Sequence, residues 1–242
     1  VTALVLVPGI GCDTTQFGRL LPGLGGFDVH PLDLPGHHGT PALPAATLDA
    51  VAERVAGQVA EQVAGRVPGG AVLVGHSTGG VVGLVVAARH PGLLSGLVLL
   101  DANLPVTPDA LARKVARSRE VLAPGWREVL EDSMRTSWGP REPELREEVV
   151  AGVLATPGAA VRRLWHDVLA LDPAPLLAAL QVPALYVRPS REVDLAALHA
   201  LNPRVRGADL HALAAGHWPH LTEPAAVLGA LRAFLDGALP RG

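Results

Sequence analysis

The 242 residues contain one cysteine, Cys12, so an internal disulfide is excluded, and no Cys/His set has the spacing of a zinc site. An excess of positive charge is also missing. The formal net charge is −3 and the isoelectric point is near 6.4, which argues against a nucleic-acid partner. No block of like charge suggests a tail or a membrane-surface patch. The opening apolar run, residues 1–7, is too short to span a membrane and has no basic leader. It runs straight into Pro8-Gly9, as a strand end does and a signal peptide does not, so the expectation is a soluble, cytoplasmic protein. Aromatic residues make up only 3%, and lysine is represented by Lys114 alone.

Apolar residues are plentiful. They make up 49% of the chain, against 18% charged, with a mean hydropathy of +0.31. That content supports one sizeable core and excludes a disordered chain. The length suits a single α/β domain carrying an insertion.

Short apolar runs alternate with longer helical stretches, the pattern of a parallel sheet flanked by helices. Candidate strands are residues 2–7, 27–32, 71–75, 96–101, 183–188 and 208–213. Most are unbroken Val/Leu/Ala runs, as expected of strands covered on both faces. Thr47 is a plausible helix cap, followed at helical spacing by Leu48, Val51, Val55, Val59 and Val63, until Val67-Pro68-Gly69-Gly70 breaks the pattern. Residues 78–89 read as a buried helix closed by His90-Pro91-Gly92, and a last helix spans about 223–235. Between residues 105 and 180 no convincing strand occurs. Several amphipathic helices carry most of the charge there, separated at Pro124-Gly125, Gly139-Pro140 and Pro157-Gly158. The expected division is a core of residues 1–104 and 181–242 with a helical cap of 105–180 over the end of the sheet.

The third candidate strand leads into Gly75-His76-Ser77-Thr78-Gly79-Gly80 and then an apolar helix. A G-x-S-x-G sequence in a strand–turn–helix setting is a nucleophile elbow. The sharp turn strains the serine backbone, and the glycines remove side chains that would strike neighbouring main chain. The Ser77 hydroxyl then stands at the N-terminus of the helix, where free N–H groups and the helix dipole favour a developing oxyanion. The alternative, a serine that merely caps a tight turn, does not account for both flanking elements and the extra Gly80.

With the elbow in place, the chain resembles the α/β-hydrolase fold superfamily over nearly its whole length. Val5-Leu6-Val7-Pro8-Gly9-Ile10-Gly11 resembles that family's first-strand loop, and residues 33–39, Asp-Leu-Pro-Gly-His-His-Gly, its D-x-P-G-x-G loop. Gly216-His217-Trp218-Pro219-His220-Leu221 resembles the loop that delivers the histidine. The first strand here is the one many relatives reach after an antiparallel pair, so a trimmed version of the fold is expected.

The resemblance implies Ser77 as nucleophile, His217 as base, and backbone N–H groups of Ile10 and Thr78 as the oxyanion hole. Where relatives often carry His-Gly in the first loop, this chain has Pro8-Gly9, which keeps the backbone donor and removes a bracing side chain. The acid has two candidate sources. One is the end of the strand 96–101, giving Asp101. The other is the segment after residues 183–188, giving Glu192, although the customary glycine is absent there and Asp194 could instead cap the next helix. Asp101 is preferred, with Glu192 as the alternative. Of the other histidines, His76 is expected to pack or bond locally, His220 to face the next helix, and His37 and His38 to lie in a solvated turn. Cys12 reads as a small buried hydrophobe.

Together these residues imply a serine hydrolase with a Ser-His-acid triad. It would cleave a carboxylic ester or thioester of a small to medium apolar substrate through an acyl-enzyme, with no metal or cofactor. Trp126, Trp138, Trp165 and Trp218 are candidate substrate-binding residues, with Met134 and Leu164 as further cap positions. Each could equally be a core residue. Arg162, Arg163 and His166 could meet a substrate carboxylate or simply form a solvated face. Two other classes remain open at this level: a C–C hydrolase, lyase or cyclase on the same scaffold, and a non-catalytic ligand receptor.

Overall fold

The computed structural model describes residues 2–63, 70–189 and 193–238. Six strands, β1 (Ala3–Val7), β2 (Asp28–Pro31), β3 (Ala71–His76), β4 (Leu94–Leu100), β5 (Ala184–Arg188) and β6 (Val205–Asp209), form one sheet in the order β2-β1-β3-β4-β5-β6. Every neighbouring pair is parallel.

The period-2 geometry of a strand divides each apolar run between two cores. Ala3, Val5 and Val7 of β1, Leu73 of β3, Leu97 and Leu99 of β4 and Tyr186 of β5 face one side. There they meet α1 (Leu48–Val63) and α2 (Thr78–Arg89). Leu4, Leu6, Val72, Val74, Val98, Leu100 and Val187 face the other side, against Phe17, Leu20 and Leu24 and the final helix. Both faces are covered, so the central strands β1, β3, β4 and β5 carry no polar alternation.

Thr47 caps α1 as its position implies, its Oγ1 accepting from the Ala50 N–H at 3.2 Å. Of the breaker after α1, residues 67–69 lie outside those described. Between β4 and β5 run α3 (Pro108–Leu122), α4 (Trp126–Ser137), α5 (Pro143–Ala155), α6 (Gly158–Ala170) and α7 (Ala174–Ala179). No strand interrupts them among the described residues. Breaks fall at the Pro/Gly pairs identified in the sequence. The last of the five, α7, packs against α2 and against α8 (Leu195–Leu201), beside the sheet. After β6 come α9 (Pro219–Thr222) and α10 (Pro224–Ala238). No described helix is long and apolar enough to cross a membrane.

One strand differs in position from its expectation. The apolar run 208–213 is largely not strand: β6 is Val205–Asp209, and His211–Leu213 form a 3-10 turn. β6 pairs only with β5, and as an edge strand it exposes Arg206, Gly207 and Asp209. An edge needs little apolar content, so hydrophobicity pointed a few residues too far along.

In this strand order the chain leaves β1 for one edge and returns to the opposite side of β1 at β3. The crevice beyond the carboxyl ends of β1 and β3 is therefore the topological switch point, where open α/β sheets hold their ligands.

Candidate active site

Ser77 follows β3 at that point with φ 51° and ψ −115°, a left-handed conformation seldom adopted by a side-chain-bearing residue. The flanking glycines make the turn possible. A Cβ on Gly75 would lie 2.4 Å from the Gly79 carbonyl oxygen, and one on Gly79 would lie 2.3 Å from that of Val7. The Ser77 N–H donates to the Leu100 carbonyl at 2.9 Å, tying the elbow to the end of β4. Thr78 opens α2, and the Gly80 and Val81 N–H groups of its first turn donate back to the Ser77 carbonyl at 3.1 and 3.2 Å.

His217 is nearly fully buried and lies within hydrogen-bonding distance of two side chains. Its Nε2 is 2.9 Å from Ser77 Oγ, and its Nδ1 is 2.5 Å from Asp101 Oδ2. With Nδ1–H donating to the carboxylate, Nε2 accepts the hydrogen bond of the Ser77 hydroxyl. Asp101 is fully buried just beyond β4 with φ 45°, and its N–H donates to the Val187 carbonyl at 3.1 Å. Tyr186 Oη donates to the Ala102 carbonyl at 2.9 Å and braces the same bend. Glu192 lies outside the described residues. Asp194 accepts from the Ala197 N–H at 2.9 Å and caps α8.

The loop carrying His217 abuts the inserted helices. Gly216, at φ 68°, lies so close to α4's end that a Cβ there would fall 1.6 Å from the Trp138 carbonyl oxygen. The His217 N–H donates to the Ser137 carbonyl at 2.7 Å. Arg19 pairs with Glu142, and Arg141 with Glu223.

Ser77, Asp101 and His217 open into a cavity of about 560 Å³. Ile10, Met134, Trp165 and Leu169 supply apolar wall, while Lys114, Arg117, Ser133, Thr136 and His211 supply polar wall. Of the four candidate tryptophans, only Trp165 lines this cavity. Trp138 and Trp218 are fully buried, with ring centroids 5.0 Å apart, and Trp218 sits edge-on to His217 at 4.7 Å. They form the packing behind the histidine rather than a surface for a ligand. Trp126 is half-buried in a separate groove on α4, under the Arg127 guanidinium. Leu164 is buried core; Arg162 donates to carbonyls at the end of α3, and Arg163 and His166 both meet Asp167.

Several cavity residues had no counterpart in the sequence reading. Lys114 and Arg117 are three apart on α3 and therefore share a face, and Lys114 is the chain's sole lysine. That spacing was the available signal. His211 comes from the 3-10 turn after β6, which the strand expectation had absorbed.

Three further expectations concern histidine and cysteine. The turn at 33–39 is not solvated throughout. Gly36 packs so closely on α6 that a Cβ would lie 2.7 Å from that of Ala160, and His37 is fully buried with Nδ1–H donating to the Pro35 carbonyl. Burial pushes the His37 pKa down to about 4. His220 stacks on Phe17, and burial with the neighbouring His217 lowers its pKa to about 3. Cys12 is buried, which pushes its thiol up to about 12 and leaves it inert.

The model of the Alpha/beta hydrolase family matches residues 4–230. The chain belongs to that family. Among curated relatives, a pimeloyl-[acyl-carrier protein] methyl ester esterase of Chromobacterium violaceum is 38% identical over 101 residues, covering 41% of this chain and 37% of the relative. The biotin biosynthesis bifunctional protein BioHC of Cellvibrio japonicus is 27% identical over 248 residues, covering 96% of this chain and 47% of that protein. Both matches span less than half of the relative's length. A thermophilic esterase from Thermogutta terrifontis shares the fold, with a TM-score of 0.77 at 24% identity, covering 99% of this chain and 91% of that one.

Proposed function

We propose that this α/β hydrolase cleaves a small to medium carboxylic ester, or a thioester, through an acyl-enzyme. One observation carries the reading: a strained serine, an imidazole and a buried carboxylate lie in hydrogen-bonded sequence at the wall of a cavity. In the proposed cycle His217 Nε2 takes the Ser77 proton as Oγ attacks the carbonyl carbon. Asp101 holds the imidazole in the required tautomer and stabilises the imidazolium. The Ile10 and Thr78 N–H groups receive the oxyanion, a contribution typically worth about 3 kcal/mol of barrier. The imidazolium then protonates the leaving alkoxide or thiolate. Water, deprotonated by His217, releases the acid and regenerates Ser77.

Residues 105–180 serve in this reading as a cap that sets specificity, with Met134 and Trp165 against the acyl or alcohol group. The cavity volume falls within the range of small-molecule sites. Methyl esters of medium-length acyl chains, the bond in the relatives' printed name, are the first substrates to test. On the same reading the enzyme is cytoplasmic and acts on small molecules rather than nucleic acid.

The test is turnover of p-nitrophenyl acyl esters and acyl methyl esters by the wild type and Ser77→Ala. Hydrolysis lost with Ser77→Ala supports the proposal. Binding without turnover would favour a receptor, and a reaction surviving Ser77→Ala would favour a mechanism that forms no acyl-enzyme.

A further inference from the structure

His76 is buried at the end of β3, immediately before Ser77, and the scheme above gives it no part. Its Nε2 lies 2.8 Å from the His217 backbone carbonyl oxygen. A carbonyl only accepts, so the proton at that position belongs to His76 Nε2. On the other side of the same residue, the His217 N–H donates to Ser137. The two peptide planes flanking the His217 Cα are therefore both anchored, one by the end of α4 and one by the side chain next to the nucleophile. With both planes fixed, the direction of the His217 Cα–Cβ bond is set. Only two side-chain torsions remain, and the contacts to Asp101 and Ser77 set those.

The His76 ring also fills the space behind the base. Its centroid is 4.7 Å from that of His217, 4.5 Å from that of His220 and 5.8 Å from that of Trp218. On its other flank is the loop after β1, where a Cβ on Gly9 would lie 3.0 Å from His76 Nδ1. One imidazole thus touches the elbow, the first loop and the histidine loop, the three segments whose relative placement acyl transfer requires.

We propose that His76 is a positioning residue, whose Nε2–H bond to the His217 carbonyl registers the base on Ser77 and Asp101. This inference rests on the reading of Ser77 and His217 as nucleophile and base.

The test compares His76→Phe, which keeps bulk and loses the donor, with His76→Gln, whose amide restores an N–H at nearly the same reach. A misplacement of about 1 Å can cost roughly 10²-fold in rate. His76→Phe should lower kcat by about that factor with KM changed less than ~3-fold, and His76→Gln should recover at least ~10-fold of it. A folded His76→Phe with kcat within ~3-fold of wild type, or a His76→Gln no better than His76→Phe, overturns the proposal.

A second measurement needs neither turnover nor a variant. Nitrogen-15 NMR of histidine-labelled wild type should find His76 Nε2 protonated, with slow exchange of that proton. A His76 Nε2 that carries no proton, as in the Nδ1–H tautomer, would overturn the positioning role. If the wild type hydrolyses no ester, the acyl-transfer reading fails while the tautomer is still read, so the two failures are distinct.

Discussion

The carboxylate at Asp101 occupies a left-handed backbone conformation, which asparagine also tolerates without β-branch strain. Asp101→Asn should therefore fold normally while no longer enforcing the Nδ1–H tautomer of His217. Ester turnover should fall about 10⁴-fold in kcat, as removal of a triad carboxylate does elsewhere, with the melting temperature little changed. Glu192→Gln should cost less than ~3-fold. Initial rates on a p-nitrophenyl ester with thermal melts of both variants check this, and reversed effects would move the acid to Glu192. At this scale the sequence was legible where chemistry demands a fixed neighbour. Ser77 and His217 were recognisable because an elbow and a loop histidine have few alternatives. Among the tryptophans only Trp165 reaches the cavity, since side-chain type says nothing about which side of an element the cavity lies on. Trp138 and Trp218 stack behind His217, and Lys114 and Arg117 take the wall that aromatic residues were expected to fill.

Elements hold the site by close main-chain approach more than by side-chain bonds. The contact of Gly216 with the end of α4 is the clearest case: a side chain there would strike the Trp138 carbonyl, and its φ is positive. Gly216→Ala should push the histidine loop off α4 and lower kcat by about 10²-fold, through displacement of His217 from Ser77. Thr47→Ala is the matched control, far from the cavity. Losing its bond to Ala50 should cost about 1 kcal/mol, or roughly 2–4 °C in melting temperature, with kcat per folded molecule unchanged. Parallel rate and melting measurements separate the two, and a Gly216→Ala variant that loses stability but keeps kcat would sink the displacement argument. Helix limits were readable from Thr47 and from the Pro/Gly pairs because caps and breakers act locally. β6 was misread because an edge strand is set by its partner β5, not by its own hydrophobicity.

For the whole molecule, two covered sheet faces leave little room for charge, and the buried histidines feel this. His37 and His220 are held neutral in the fold, with pKa values near 4 and 3, below the 6.5 of an exposed imidazole. Well above pH 6.5 both are neutral, folded or unfolded, and they contribute no pH dependence there. As pH falls from 6.5 toward those lowered values, the unfolded chain binds protons that the folded chain does not. Stability should therefore drop across that window. Lowered carboxylates such as Glu142 and Asp209 add to the loss only further down, near and below their ordinary range. Thermal melts at pH 7 and pH 5 should show the decrease, and His37→Gln should flatten it. Equal melting temperatures at the two pH values would contradict the burial argument. The parallel character of the sheet was accessible from the alternating runs, because parallel strands need crossover helices. How α3, α4 and α6 settle on the site was not, because that depends on contacts far apart in sequence, such as Gly216 with Trp138.

The proposed chemistry requires one serine hydroxyl to be more nucleophilic than any other in the chain. A fluorophosphonate probe, which reacts only with an activated serine, tests this directly when the adduct is mapped by peptide mass spectrometry. A single adduct on Ser77, lost in His217→Ala, is the predicted result. An adduct on another residue, or none on the intact protein, would contradict the account.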